Sequence, residues 1–330
     1  MDTLEIAHAG ATCLTNLIQK NGSFKYRYDS QDDTPLKGYN VLRHAGTVWA
    51  MLDVYRDVSD KKILACCRQA THYLFDTNLR FFRSYNNVCI CEDNTIKLGG
   101  NALSTLALVS LFEITQDHFL LAVAEQLAQF MLDQRMENGS LVHKRYFQSG
   151  KISKFHSMYY TGEALFALLT LHRLTQQKCW YETVREIENE LAPKDYGVEE
   201  QSHWMLYFLE LLSNYDASPL TYLHAKKIAS HILENPDYLS WERSTPIACR
   251  SEGLLAFLRM KRPNDIDDKA LRERCLEQIK YNLNRQLTFR LPDGSFIRGG
   301  NDRRTNEVRI DYIQHNISSF LHYARLGLHL

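Results

Sequence analysis

Six times along the chain a run of apolar residues opens from a single small or polar position and stays apolar around nearly the whole helical circumference. The runs are GTVWAML (Gly46–Leu52), NALSTLAL (Asn101–Leu108), EALFALL (Glu163–Leu169), HWMLYFL (His203–Leu209), EGLLAFL (Glu252–Leu258) and HNISSFL (His315–Leu321). A helix that is apolar on every side is buried on every side. Between these runs lie helical stretches with one apolar face only. The pattern predicts inner helices near 41–57, 99–115, 159–175, 199–214, 249–260 and 311–326. They alternate with amphipathic outer helices near 2–20, 61–79, 117–136, 177–192, 219–234 and 266–288. No linker rich in Gly, Pro or Ser divides the chain, so the alternation predicts one all-α domain over residues 1–330, a closed ring of six helical hairpins.

The connections are of two kinds. Inner-to-outer links are short, whereas most outer-to-inner links are long and rich in aromatic and charged residues. Three long links repeat one turn: Asn21-Gly22-Ser23-Phe24, Asn138-Gly139-Ser140-Leu141 and Asp293-Gly294-Ser295-Phe296. Asn-Gly and Asp-Gly favour tight turns with positive φ, so these read as small β-hairpins. Binding groups gather on long loops, which here all lead into inner helices. Function is therefore expected on the face where the inner helices begin.

The first position of each run then carries the candidate chemistry: Gly46, Asn101, Glu163, His203, Glu252 and His315. Glu163 and Glu252 precede solid apolar runs, and partial burial of a carboxyl prepares it to donate a proton. They are the expected acid/base pair. Asp311 and His315 stand four residues apart on the last inner helix, and Glu199 and His203 repeat that spacing on the fourth. An acid one turn from an imidazole suits a base with an orienting carboxylate, or two metal ligands. The metal reading is the weaker one, because helix-start carboxylates are favoured by the macrodipole alone. No metal or other cofactor is expected. Tyr159 and Tyr160 are placed to stack on a ligand. Arg43 and His44 open the first inner helix beside Gly46, which leaves a gap in the ring, and Asn101, Glu200 and Arg250 complete the entry positions.

Composition narrows the partners. Lys+Arg and Asp+Glu are both 39, so the net charge is zero, which argues against nucleic acid or a membrane surface as partner. No apolar run approaches the ~18 residues of a membrane span. Arginines are nonetheless dense on the long-loop face (Arg43, Arg243, Arg250, Arg298, Arg303, Arg304 and Arg309), and guanidinium forks suit an anionic ligand. Tyr26, Tyr28, Tyr39, Tyr85, Tyr146, Phe155 and Trp241 add aromatic surface to the same loops. The first residues read as an amphipathic helix capped near Asp2 or Thr3 rather than a signal peptide. Eight cysteines without such a signal predict reduced thiols in a cytoplasm. Cys89-x-Cys91, read as a loop, has the wrong spacing for a zinc knuckle. Phosphate-binding loops, GxGxxG, HExxH and GxSxG are all absent from the sequence.

The alternating helices resemble the (α/α)6 toroid of the six-hairpin glycosidase superfamily, over essentially the whole chain and as architecture. That group includes glycoside hydrolases, polysaccharide lyases and sugar epimerases. The resemblance implies a site at the N-terminal ends of the inner helices and a saccharide substrate, here an acidic oligosaccharide. Two other helical toroids fit less well. There is no Cys-His dipeptide for a lanthionine-cyclase zinc site and no Asp-rich motif of the terpene cyclases. On the resemblance, Glu163 and Glu252 would run glycosidic hydrolysis. Asp311, His203 and His315 would share proton transfer, and Arg43, Arg250 and Arg309 would hold the anionic group. The runner-up is epimerisation or elimination at a uronate or other sugar, using an acid and a base on opposite faces. A toroid that only binds a glycan or a protein is the third reading.

Overall fold

A computed structural model of the chain describes residues 2–84, 87–216, 218–235, 240, 242–263, 266–328 and 330. Tyr85 and Trp241 lie outside the described residues. The described residues form twelve α-helices: α1 (Thr3–Leu17), α2 (Val41–Val58), α3 (Lys61–Asn78), α4 (Leu98–Thr115), α5 (His118–Leu132), α6 (Tyr160–Thr175), α7 (Lys178–Leu191), α8 (His203–Leu212), α9 (Pro219–Glu234), α10 (Ser244–Arg259), α11 (Lys269–Leu287) and α12 (Ile310–Ala324). They are the expected outer and inner elements in strict alternation. Two starts differ with consequence. The fourth inner helix, α8, begins at His203, not 199. The fifth, α10, begins at Ser244, not 249. Ser202 caps α8 by accepting from the Met205 N–H, which fixes that later start.

The chain folds as two compact units. The first comprises Met1–Leu74, Ile232–Leu255 and Lys269–Leu330, and the second Phe75–His231 and Ala256–Asp268. In the first, α12 packs on α1, α2 and α11. Strand β1 (Arg27–Asp29) pairs antiparallel with β6 (Glu307–Arg309), Tyr28 opposite Val308, and so ties the two loops that lead into α2 and α12. In the second, α4 lies between α5 and α6, and α6 packs in turn on α7 and α8. Four strands join the long loops there: β2 (Leu79–Phe81), β3 (Val88–Glu92), β4 (Thr95–Lys97) and β5 (Lys144–Tyr146), in that spatial order and all antiparallel. Cys89 and Cys91 belong to β3 and are buried, which corrects the loop assignment. Among the described residues all eight cysteines are free.

Burial explains the alternation. Every residue of α4 from Leu98 to Phe112 is buried, whereas α7 buries only Trp180, Val184, Ile187 and Glu188. The 18 residues of α4 reach a mean hydropathy of 1.3, so one run does have the length and apolar character of a membrane span, contrary to the expectation; 83% of it is buried within the fold. Three inner helices close on the same device. Ser59, Gln116 and Gln176 take left-handed φ after α2, α4 and α6, and their N–H groups return to Tyr55, Phe112 and His172 carbonyls. The repeated long-loop turn is equally regular. Gly22, Gly139 and Gly294 have φ of +86°, +82° and +88°. Single antiparallel bridges bracket the turns, at Ile18–Phe24, Arg135–Leu141 and Arg290–Phe296. In each copy the Asn21, Asn138 or Asp293 side chain accepts from both the N–H and the hydroxyl of the serine two residues on.

Candidate active site

In the first unit, helix register on α10 and α12 brings a carboxylate, an imidazole and a thiol together. His315 donates its Nδ1–H to Glu252 Oε1 at 2.8 Å. The Glu252 side chain is wholly buried, while that of His315 keeps 13% exposure. Cys249, three residues before Glu252 on the same face of α10, shares a hydrogen bond with His315. The Cys249 sulfur, a Glu252 oxygen and a His315 nitrogen lie within 4.8 Å of one another. Burial opposes the charge on His315, but Cys249 and Glu252 outweigh it and hold the imidazolium well above the ordinary histidine range. This is the geometry of a proton-transfer group held between a thiol and an orienting carboxylate. The same three donors are of the type that borderline-soft zinc accepts.

The sequence paired His315 with Asp311; the structure pairs it with Glu252. Asp311 is taken by arginines. Arg43 Nε lies 2.9 Å from one oxygen, and Arg309 Nη2 2.8 Å from the same oxygen, with Arg309 Nε on the other. Burial raises the Asp311 carboxyl, but Arg309, Arg43 and His315 together hold it below the usual carboxylate range. Arg43 also donates to the Tyr26 hydroxyl at 3.1 Å. Arg250 donates back along its own helix to the Pro246 carbonyl. His44 lies in the core and has no exposure. Its Nε2–H donates to the Ala70 carbonyl at 2.9 Å, so its Nδ1 accepts from the Tyr39 hydroxyl at 2.7 Å. Burial pushes its pKa down to about 4.

In the second unit, Glu163 sits in the first turn of α6 and is 3% exposed. It packs with Tyr160 over Gly99 of α4, where an added Cβ would strike the Glu163 carboxylate and come within 2.6 Å of the Tyr160 ring. Gly99 therefore permits the close approach that positions both side chains. Tyr160 is buried and also packs on His143 and Phe155. His203 is 2% exposed, with the Tyr159 ring edge-on at 5.5 Å. Glu199 and Glu200 precede α8 in a turn, so neither shares a helical face with His203. The Glu199 side chain is 88% exposed and lies 4.0 Å from His231. Asn101 is fully buried; it accepts from the Ile90 N–H of β3 and donates to the Lys97 carbonyl, which ties the sheet to α4.

Cys249 is the group the sequence reading passed over. Its signal was available: a thiol three residues before Glu252 on one helix, against a histidine in the equivalent helix of the last hairpin. Because the α10 run was started at its apolar core, the residues preceding it were read as helix entry rather than as a continuing face.

Alternating inner and outer helices, with long loops leading into the inner ones, define the (α/α)6 toroid of six-hairpin glycosidase-like proteins, and this chain has that fold. Among solved structures it is similar to a sugar epimerase from a ruminal bacterium, at 14% identity and a TM-score of 0.73 over 100% of both chains. It is also similar to cellobiose 2-epimerase from Bacillus thermoamylovorans, at 12% identity and a TM-score of 0.75 over 98% of this chain and 99% of that one. An unsaturated glucuronyl hydrolase specific for heparin matches at 10% identity and a TM-score of 0.71, covering 98% and 97%. No protein-family model matches the chain, and no curated protein matches it in sequence.

Proposed function

We propose that the chain is a carbohydrate-active enzyme that moves protons on a saccharide, with His315, held between Cys249 and Glu252, as its central group. The observation that carries this reading is the hydrogen bond from a partly exposed imidazole to a wholly buried glutamate. Glu252 is spent on orienting His315, so it is poorly placed to protonate a glycosidic oxygen. That weighs against the two-carboxylate hydrolysis expected from sequence and favours epimerisation, one of the two reactions in its runner-up. In such a reaction a base takes the proton from the carbon beside the carbonyl of an open-chain sugar. The electron pair passes to the carbonyl oxygen as an enediolate, and an acid returns a proton to carbon. The names of the similar epimerases agree with this choice. Glu163, with His203, Tyr159 and Tyr160, stays in the proposal as a second candidate carboxylate–imidazole set. Eight free thiols suit a reducing compartment such as the cytoplasm.

The test is washing-in of solvent deuterium. Reducing mono- and disaccharides are incubated with the protein in D2O, and label at the carbon beside the carbonyl is read by mass and NMR. Exchange should appear with the wild type and fall by about 10²–10⁴-fold in Glu252→Gln and His315→Gln. Release of a new reducing end without label would restore the hydrolytic reading. Glycan binding that survives both substitutions, with neither exchange nor cleavage, would point to the binding-only toroid.

A further inference from the structure

One turn before Cys249 on α10, and one turn before His315 on α12, the first unit holds a cavity of about 280 Å³ lined by Arg243, Thr245, Pro246, Arg298, Arg304, Arg309 and Tyr312. Its charge is lopsided. Around it Arg27, Arg43, Arg298, Arg304 and Arg309 share only three carboxylates in ion pairs, Asp302, Glu307 and Asp311. Arg243 adds a sixth guanidinium and, among the described residues, has no ion-pair partner. Four of these six guanidiniums, Arg243, Arg298, Arg304 and Arg309, line the partly buried hollow, and no carboxylate does. Thr245 lies in the first turn of α10, where the helix presents N–H groups without an i−4 carbonyl and its positive end. The Thr245 hydroxyl oxygen is buried and, among the described residues, meets no hydrogen-bond partner.

We infer that this hollow binds a phosphate group and that the saccharide handled at His315 is a sugar phosphate; the second half rests on the function proposed above. A tetrahedral dianion answers the observations better than a carboxylate. It presents three acceptor oxygens in different directions to N–H donors that come from two segments, Arg243 before α10 and the arginines of the 298–309 segment. A planar carboxylate needs one fork, and the Arg309 fork already holds Asp311. The volume falls just below the ~300–1,000 Å³ of ordinary ligand pockets, so it suits one charged group and the adjoining edge of a ring. The spacing also fits. Four residues separate Thr245 from Cys249 and Asp311 from His315, a rise of about 6 Å along each helix, which a single monosaccharide can bridge.

Inorganic phosphate reads the hollow without the reaction. Calorimetric titration at constant ionic strength should show saturable phosphate binding, absent with chloride and weaker with glucuronate. Arg243→Gln should weaken it at least tenfold and Thr245→Ala about three- to tenfold, with thermal unfolding in chloride unchanged for at least one of the two. Equal phosphate affinity in both variants and the wild type, no binding above the chloride control, or glucuronate binding in place of phosphate would each overturn the inference. Glu252→Gln separates the two ideas. It should bind phosphate as the wild type does. Normal phosphate binding with no deuterium exchange on any sugar or sugar phosphate would sink the proposed reaction and leave the phosphate site standing.

Discussion

His44 is fully buried and His315 partly exposed, and their surroundings send them in opposite directions. The first has only neutral partners, a carbonyl and a hydroxyl, so its pKa falls to about 4. The second has a carboxylate and a thiol, so its pKa rises. The neighbouring letters Arg43-His44 gave no hint that one side chain reaches the Asp311 network and the other points into the core. Which face of α2 carries function depends on where the loop from β1 enters it. Asn101 shows the same limit: its position at the start of an inner run was read correctly, but its amide is used on β3 and Lys97. Asn101→Ala should cost about 1–3 kcal/mol of stability, measured by urea unfolding, because it leaves the Ile90 N–H buried without an acceptor. Its effect on turnover should be small if the residue is purely structural. Gly99→Ala should do the reverse in part. The added methyl pushes on Glu163 and Tyr160, so a fall in kcat larger than the change in KM would tie Glu163 to the chemistry.

At the scale of elements, the sequence carried nearly everything. Twelve helices and three turns follow from apolar periodicity and from Asn/Asp-Gly-Ser, because both signals are local. What was illegible is tertiary. The four-stranded β2–β5 sheet pairs segments from separate loops, and strands of three to five residues are too short for alternation to show. The start of α8 depended on the Ser202 cap, and moving it from 199 to 203 dissolved the expected Glu199–His203 face. The turn glycines can be tested directly. A Cβ at Gly294 would run into the Ala9 carbonyl oxygen at 2.6 Å, in a backbone region that favours glycine. Gly294→Ala should destabilise the protein by more than about 1 kcal/mol in chemical denaturation. A neutral result would show that the α1 end of the contact yields.

For the whole molecule, the buried histidines set a stability window. His44 and His143 stay neutral in the fold down to about 4, His44 through burial and His143 through burial and the stacked His156. The unfolded chain takes up their protons from about 6.5 downward. Stability should therefore fall as the pH drops from about 6.5 to 4, by roughly 3 kcal/mol for the fully buried His44. His224, in a buried pair with Glu188, has a raised pKa: burial opposes its charge, but Glu188 prevails. Its contribution is complete below about 6.5 and is lost as the pH rises through its folded value. Melting temperature against pH should trace a maximum near neutrality, and His44→Gln should flatten its acid limb. Calorimetry also tests the one-domain expectation. A single transition would mark residues 1–330 as one folding unit, and two would mark the compact units as separate.

The three Asn/Asp-Gly-Ser turns also say how the protein should age. Asn-Gly pairs are the sites where side-chain amides are lost most readily, by backbone attack through a cyclic imide. In all three copies only the side-chain oxygen is used, as an acceptor for the serine N–H and hydroxyl, and the third copy already carries aspartate. Deamidation of Asn21 or Asn138 to ordinary aspartate would thus recreate the turn that Asp293 makes. Both products of the imide add negative charge; the aspartate form should keep the fold, whereas the isoaspartate form lengthens the backbone and should loosen the turn.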